Sequence, residues 1–583
     1  MCKVKPRFVA LACLTALSAL AQFPDQQLTP PPSKTPPDQK CVVQGYASNA
    51  QTGERLKKAT VRLQRKYAQG QGYALTTEAD GTFRFEAVEP GDYSLSGQRS
   101  GYLNTNYGAK SPNAQGTTLT LQPSQQLTNL NLALMPQSVI SGKVVDEDGD
   151  PVSHVMVQAL AQTWNRGKAH YFPRGIGNTD DLGQYRISNL SPGKYYLFAQ
   201  LQPYGRPEPA PTPGKPDVRP VNTFFPEAAS RATASPIEIK AGQDVSGMDI
   251  RLRSAQTFHV RGKFAGGSDK SANQMLSLTP AEQDIPVWFG PSTSIKSDGA
   301  FDIPGVAPGT YTLSVNAVGT GSIRAIARQT IEVGSSDLND VTLVPIAAGT
   351  IRGRITIEGT RPSDAKEVNL ASTRVFLQPA EPGRAMFVGQ NTVNADGTFT
   401  IENVAPGKYF VSTSQSPDGA YLKSVRFGQQ EVLGTELDLS QGASGELAIV
   451  FAYGTAELDG VVQMPDKSPS ATEGASGQPA SSPTATIVLI PDKLREDGGG
   501  LYYGSTNQSG GFTVKRIAPG RYHVVSVEPM NSSQFQNPEF LKELASKGTE
   551  VELKENDRKQ VQLSFVSAGD MQQVMARLGI ESE

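Results

Sequence analysis

The residues able to do chemistry are few and scattered. Four histidines, His154, His170, His259 and His523, lie in four different local contexts. Zinc hydrolysis needs two or three nitrogen or oxygen ligands around an open position. None of the four opens an H-x-x-E or H-E-x-x-H pattern, and no G-x-S-x-G nucleophile elbow occurs. Asp146-x-Asp148-Gly149-Asp150 has the acidic start of a calcium loop but lacks the distal bidentate Glu and flanking helices, so it reads as an acidic hairpin turn. No cofactor, metal site or catalytic residue is expected. What remains is aromatic. Trp164, Tyr171 and Phe172 accompany Asn165, Arg166 and Lys168 in a loop-like run; Trp288-Phe289 precedes Gly290-Pro291; Tyr502-Tyr503 follows three glycines. A flat ring with polar neighbours can stack on the C–H face of a sugar while those neighbours bond its hydroxyls. Trp164, Tyr171 and Trp288 are the candidate carbohydrate-binding residues, against the plainer reading of strand packing or loop anchoring. A total of 2 Trp weakens the binding case.

A motif repeated five times must position these side chains. It runs Gly81-x-Phe83-x-Phe85-x-x-Val88-x-Pro90-Gly91-x-Tyr93 in its first copy. The later copies end at Tyr195, Tyr311, Tyr409 and Tyr522, so the tyrosines are 102, 116, 98 and 113 residues apart. That period is one small domain. The Gly before each aromatic suits a tight turn, and the aromatic-x-apolar alternation puts two side chains on one strand face. Pro-Gly predicts a type II turn, and Tyr opens the returning strand with its ring in the core and its hydroxyl near the turn. An apolar-x-Gly strand opens each unit, at Gly45, Gly142, Gly262, Gly353 and Gly460, and a period-two strand closes it.

Units of this length with several short strands predict antiparallel sandwiches: residues 41–136, 137–254, 255–346, 347–452 and 453–566. The second carries a Pro-rich insertion at 202–220 and the fifth a disordered loop at 464–486. Residues 22–40 read as a disordered Pro-rich linker. Helix is confined to the end. Asn537 caps a short helix with Pro538 at its first position, and residues 567–583 hold a second, starting at Asp570.

Composition agrees: 57 Gly and 42 Pro favour turns and short strands, and a net charge of −2 leaves no footprint for nucleic acid. Lys3, Lys5 and Arg7 precede an apolar run ending in Ala19-Leu20-Ala21, which reads as a signal peptide of residues 1–21. The run of about 14 residues falls short of the roughly 20 that span a bilayer, so no membrane span is expected in the mature chain. Cys2 and Cys13 leave with the signal. Cys41 is then alone, and each domain must be held by its apolar core.

The Pro-Gly-x-Tyr repeat, with Gly142-x-Val144-x-Asp146…Gly149-x-Pro151, resembles carboxypeptidase regulatory-like domains. The resemblance spans about residues 41–566. It implies an all-β chain of five tandem seven-stranded Greek-key sandwiches of the transthyretin-like, carbohydrate-binding-like fold, with short C-terminal helices. Related pilin-type sandwiches form Lys–Asn isopeptide bonds assisted by a Glu four residues after the tyrosine. Gly97, Ala199, Val315, Thr413 and Ser526 stand there instead, which implies no self-crosslinking. The expectation is a non-catalytic exported protein, periplasmic, envelope-associated or extracellular. It would bind polysaccharide through its loop aromatics or, alternatively, act as a structural stalk or scaffold for an envelope protein. Five sandwiches in series predict an elongated array.

Overall fold

A computed structural model describes residues 28–580, save 32–34, 67–69, 110–111, 113, 115, 203–215, 267–272, 282–289, 320–321, 347, 364, 366–367, 381–391, 444, 464–484, 508, 531 and 579. Residues 1–21, read as a signal peptide, Trp288 and most of the 202–220 and 464–486 segments lie outside the described residues.

The chain is all-β, a series of β-sandwiches built on one plan. In the first, the motif strand Thr82–Val88 runs antiparallel to the opening strand Cys41–Asn49, whose other edge pairs in parallel with the closing strand Gln126–Leu134. The plan recurs on the opening strands Phe258–Phe264, Gly349–Glu358 and Ala456–Gln463. In the second sandwich the parallel partner of Ser138–Val145 is split into Asp244–Val245 and Ile250–Arg251. The expected antiparallel sandwiches thus carry one parallel pairing, between opening and closing strands, that the sequence reading did not include. Opening and closing strands are joined by the whole intervening domain rather than a hairpin, which makes parallel pairing available. Among the described residues the third and fifth sandwiches have seven strands, the first and fourth eight, and the second more short pieces.

The opening-strand glycines follow from that pairing. A Cβ on Gly45, Gly142, Gly262, Gly353 or Gly460 would collide with the carbonyl oxygen of Leu130, Met248, Val341, Leu447 or Val561 on the adjoining segment. The tyrosines behave alike in all five units. Tyr93, Tyr195, Tyr311, Tyr409 and Tyr522 each donate to the carbonyl four residues earlier, at 2.7–2.9 Å. Burial pushes the pKa of Tyr93, Tyr311 and Tyr522 up, which keeps the hydroxyl a donor.

The expected type II turn at Pro-Gly does not form. Gly91, Gly193, Gly309 and Gly407 have φ of 141–155°, far from the +80° of that turn. The left-handed residue comes earlier, at Ala87, Asn189, Gly305, Asn403 and Arg516, with φ of 56–71°. Each sits in a bulge where the motif strand slips register against the opening strand.

Each sandwich has its own apolar cluster. A further cluster covers the outer face of the fifth, where Val488, Ile490 and Val525 meet α1 (Pro538–Ala545) and α2 (Ala568–Arg577). Asn537 caps α1 through Glu539 N and Phe540 N, with Phe540, Leu541 and Leu544 buried. α2 is capped by Ser567, whose Oγ accepts from Asp570 N, and not by Asp570. Parts of the 22–40 linker are tied down, correcting the expectation of disorder. Thr29 bridges Gln71, and Ser124 donates to the carbonyls of Asp38 and Gln39 beside the turn Pro37–Gln39.

The elongated array is also corrected. Thr118 N donates to Thr506 O at 3.2 Å, closing the first sandwich on the fifth. Arg516 pairs with Asp418 at 2.5 Å between fifth and fourth, and Gln51 Nε2 donates to Ala241 O at 2.7 Å between first and second.

Candidate functional site

The candidate aromatics of the second sandwich lie on a long hairpin, Val155–Asn165 paired with Lys168–Asn178, rather than in a loop. Arg166 and Gly167, with φ of 50° and 74°, form the two-residue turn that lets both strands continue to the tip. The Arg-Gly pair was the sequence signal for this hairpin, and it was read as loop.

The tip is wedged between two other domains. Gly167 N donates to Gln536 O at 3.0 Å, and a Cβ at Gly167 would stand 3.1 Å from Pro538. Arg166 donates to Pro379 O at 3.1 Å and lies 4.4 Å over the Phe410 ring of the fourth sandwich. Burial lowers the pKa of its guanidinium, while Asp497 and Glu436 oppose the shift. Trp164 packs against the helical cluster of the fifth sandwich with Phe535 and Phe540. Its indole N–H is buried without a hydrogen-bond partner among the described residues. Tyr171 is 5% exposed, edge-on to Tyr196 at 5.4 Å and covered by the Arg231 guanidinium at 4.1 Å. The structure therefore brings Trp164 and Tyr171 onto one hairpin, with the Tyr171 ring buried and the Trp164 ring half-buried against the fifth sandwich. Phe172 is the open ring there, at 51% exposure. Tyr502 and Tyr503 are half-buried: Tyr502 meets Tyr522 edge-on at 5.8 Å, and Tyr503 lies beside Phe535.

The histidines stay apart. His259 Nδ1 lies 2.6 Å from Asp302 and His523 Nε2 3.2 Å from Asp492. Among the described residues no three His, Cys, Asp or Glu side chains converge on one point. Asp146 Oδ1 accepts from Asp148 N and Asp150 N, the geometry of an acidic turn. Cys41 is buried and free, its thiol donating to Gln122 O at 3.0 Å, with burial raising its pKa.

One concavity was not legible from sequence. A cleft of about 1180 Å³ opens where the first sandwich meets the fifth. In its lining Lys66 Nζ donates to Thr118 Oγ1 at 2.5 Å and Ser505 Oγ at 3.2 Å, and those hydroxyls lie 2.9 Å apart. No helix among the described residues is long and apolar enough to cross a membrane.

No curated protein matches the chain. Solved structures similar to it include the streptococcal ancillary pilin, at 12% identity over 53% of this chain and 99% of that one with a TM-score of 0.18. They include two B repeat units of the collagen binding protein of Staphylococcus aureus, at 12% identity over 71% and 99% with a TM-score of 0.12. A proposed carbohydrate-binding protein of Bacteroides uniformis is similar at 9% identity over 51% and 100%, with a TM-score of 0.14. Within the chain itself, residues 42–135, the first sandwich, match the family model of the carboxypeptidase regulatory-like domain.

Proposed function

We propose that the protein is an exported, non-catalytic scaffold whose five sandwiches are clasped into one body that presents its outer faces to an envelope partner. The observation that carries this reading is the hairpin tip at Trp164–Gly167, docked on both the fourth and fifth sandwiches. Residues that could have formed an open sugar platform are spent on holding domains together. A polysaccharide role by ring stacking needs exposed rings, and Tyr171 is buried while Trp164 is half-buried against another domain. That version rests on Trp288. Export is supported by the basic, apolar and Ala-x-Ala sequence of residues 1–21.

The test is photo-crosslinking in the native compartment from a probe at the exposed Phe172, in the wild-type and Trp288→Ala chains. Trapping the same envelope protein in both supports the scaffold. A retained glycan lost with Trp288→Ala would favour the polysaccharide reading instead. N-terminal sequencing that finds Met1 intact would remove the export element. A hydrolase activity abolished by a single substitution would overturn the non-catalytic one.

A further inference from the structure

The cleft between the first and fifth sandwiches holds a charge that the scaffold role does not use. Lys66 is half-buried, and an ammonium has three N–H donors. Two go to Thr118 and Ser505, both buried hydroxyls from different domains. No carboxylate of the described residues lies within ion-pair distance of Nζ. The nearby Asp92 accepts from Thr120 Oγ1 at 2.7 Å. Burial lowers the Lys66 pKa, with the Asp92 charge opposing, as for a cation removed from water without a direct counter-ion. Among the described residues one ammonium donor thus has no partner, and the Lys66 charge is without a direct ion pair in the cleft.

The walls around it mix polar and apolar groups. Ser94, Asn106 and Thr120 stand on the first sandwich, with Thr513, Gln560 and Gln562 facing from the fifth. Of the other charged groups in the lining, Asp92 is held by the Thr120 hydroxyl and the remaining two are paired. Asp459 binds Arg558 at 2.8 Å and Thr513 at 2.6 Å, and Lys515 pairs with Glu457 at 3.6 Å. Hydroxyls and amides both donate and accept, which suits a ligand carrying many hydroxyls. Val461, at 52% exposure, and the half-buried Tyr503 and Val561 add apolar surface to these walls, on which the C–H face of a sugar ring can rest. The volume exceeds the roughly 300–1,000 Å³ that encloses a drug-sized ligand, so several linked units fit.

We infer that this cleft is a binding site for an acidic polysaccharide segment, with Lys66 receiving a carboxylate or sulfate and the facing hydroxyl and amide side chains receiving the sugar hydroxyls. The inference goes beyond the scaffold reading, since it uses none of the hairpin aromatics and gives the assembled body a ligand.

The test is calorimetry on the full mature chain with three probes: galacturonate oligomers, dextran sulfate and neutral dextran. Binding of either acidic probe, at least tenfold tighter than dextran and weakening with salt, is expected, and the two acidic arms separate carboxylate from sulfate. Lys66→Gln keeps a donor to the two hydroxyls but removes the charge. It should weaken acidic-glycan binding about tenfold or more and abolish the preference over dextran. Gln562→Trp, on an exposed position of the opposite wall, should block binding with an unchanged melting temperature even if Lys66→Gln loosens the domain contact. Absence of binding to both acidic probes, equal binding to dextran, or binding unchanged by Gln562→Trp would each overturn the site. Photo-crosslinking from Phe172 reads the scaffold role separately.

Discussion

Tyr409 shows what one atom does in this repeat. Its hydroxyl, in a ring that is 1% exposed, ties the start of a strand to the Ala405 carbonyl at 2.7 Å. Tyr409→Phe leaves that carbonyl short of a donor and should cost about 1 kcal/mol in chemical denaturation of the fourth sandwich. The turn aspartates supply a pH signature. Asp80 and Asp396 are held below the usual carboxylate range first by the Thr82 and Thr398 side chains, and Asp298 first by Ala300 N. A carboxyl with a lowered folded-state pKa contributes stability above its unfolded value near pH 4 and loses it as pH falls through the folded value. Stability should therefore drop below about pH 4, and Asp80→Asn should flatten the first sandwich's share of that drop in an acid titration followed by NMR. At this scale the sequence was informative wherever one residue type has one use. The core ring, the turn-side hydroxyl and the Asn537 cap could be read directly. The left-handed bulge could not, because Ala87 and Arg516 occupy a position that Asn189, Gly305 and Asn403 fill in other copies. No common residue type announces it.

The β-hairpin is the element on which the functional reading turned. Its strands extend to Asn165 and Lys168, so Trp164 lies on a rigid ladder and is delivered to a fixed place on the fifth sandwich. Trp164→Ala should remove a large apolar contact and cost about 2–4 kcal/mol of docking, somewhat less than a fully buried Trp. The expected result is faster amide exchange at the hairpin tip and around Phe535–Phe540, with the second sandwich's own core unaffected. Unchanged exchange at α1 would show that the ring does not hold the junction. Sequence periodicity located the hairpin strands poorly because their outer ends face another domain rather than solvent. An apolar ring there reads the same whether it awaits a sugar or a neighbouring helix. The Lys66 cleft was illegible for a related reason: its partners Thr118 and Ser505 are 387 residues apart.

At the scale of the whole molecule, contacts between first and fifth, second and fifth, and second and fourth sandwiches replace the rod that five repeats suggest. Small-angle scattering should give a radius of gyration near 30 Å, against roughly 50 Å for five domains end to end and about 24 Å for a single globule of this length. A value close to the rod's would contradict the clasp. The clasp also imposes a waiting time. Gly167 meets Gln536, so the hairpin tip leaves the ribosome some 370 residues ahead of its dock, roughly 20–70 s at ordinary synthesis rates. Through that interval the Trp164 ring has nothing to cover it. Newly made chains stopped short of α1 should be cut by protease at the hairpin tip and bound there by holdase chaperones. Full-length chains, in which α1 covers the tip, should escape both.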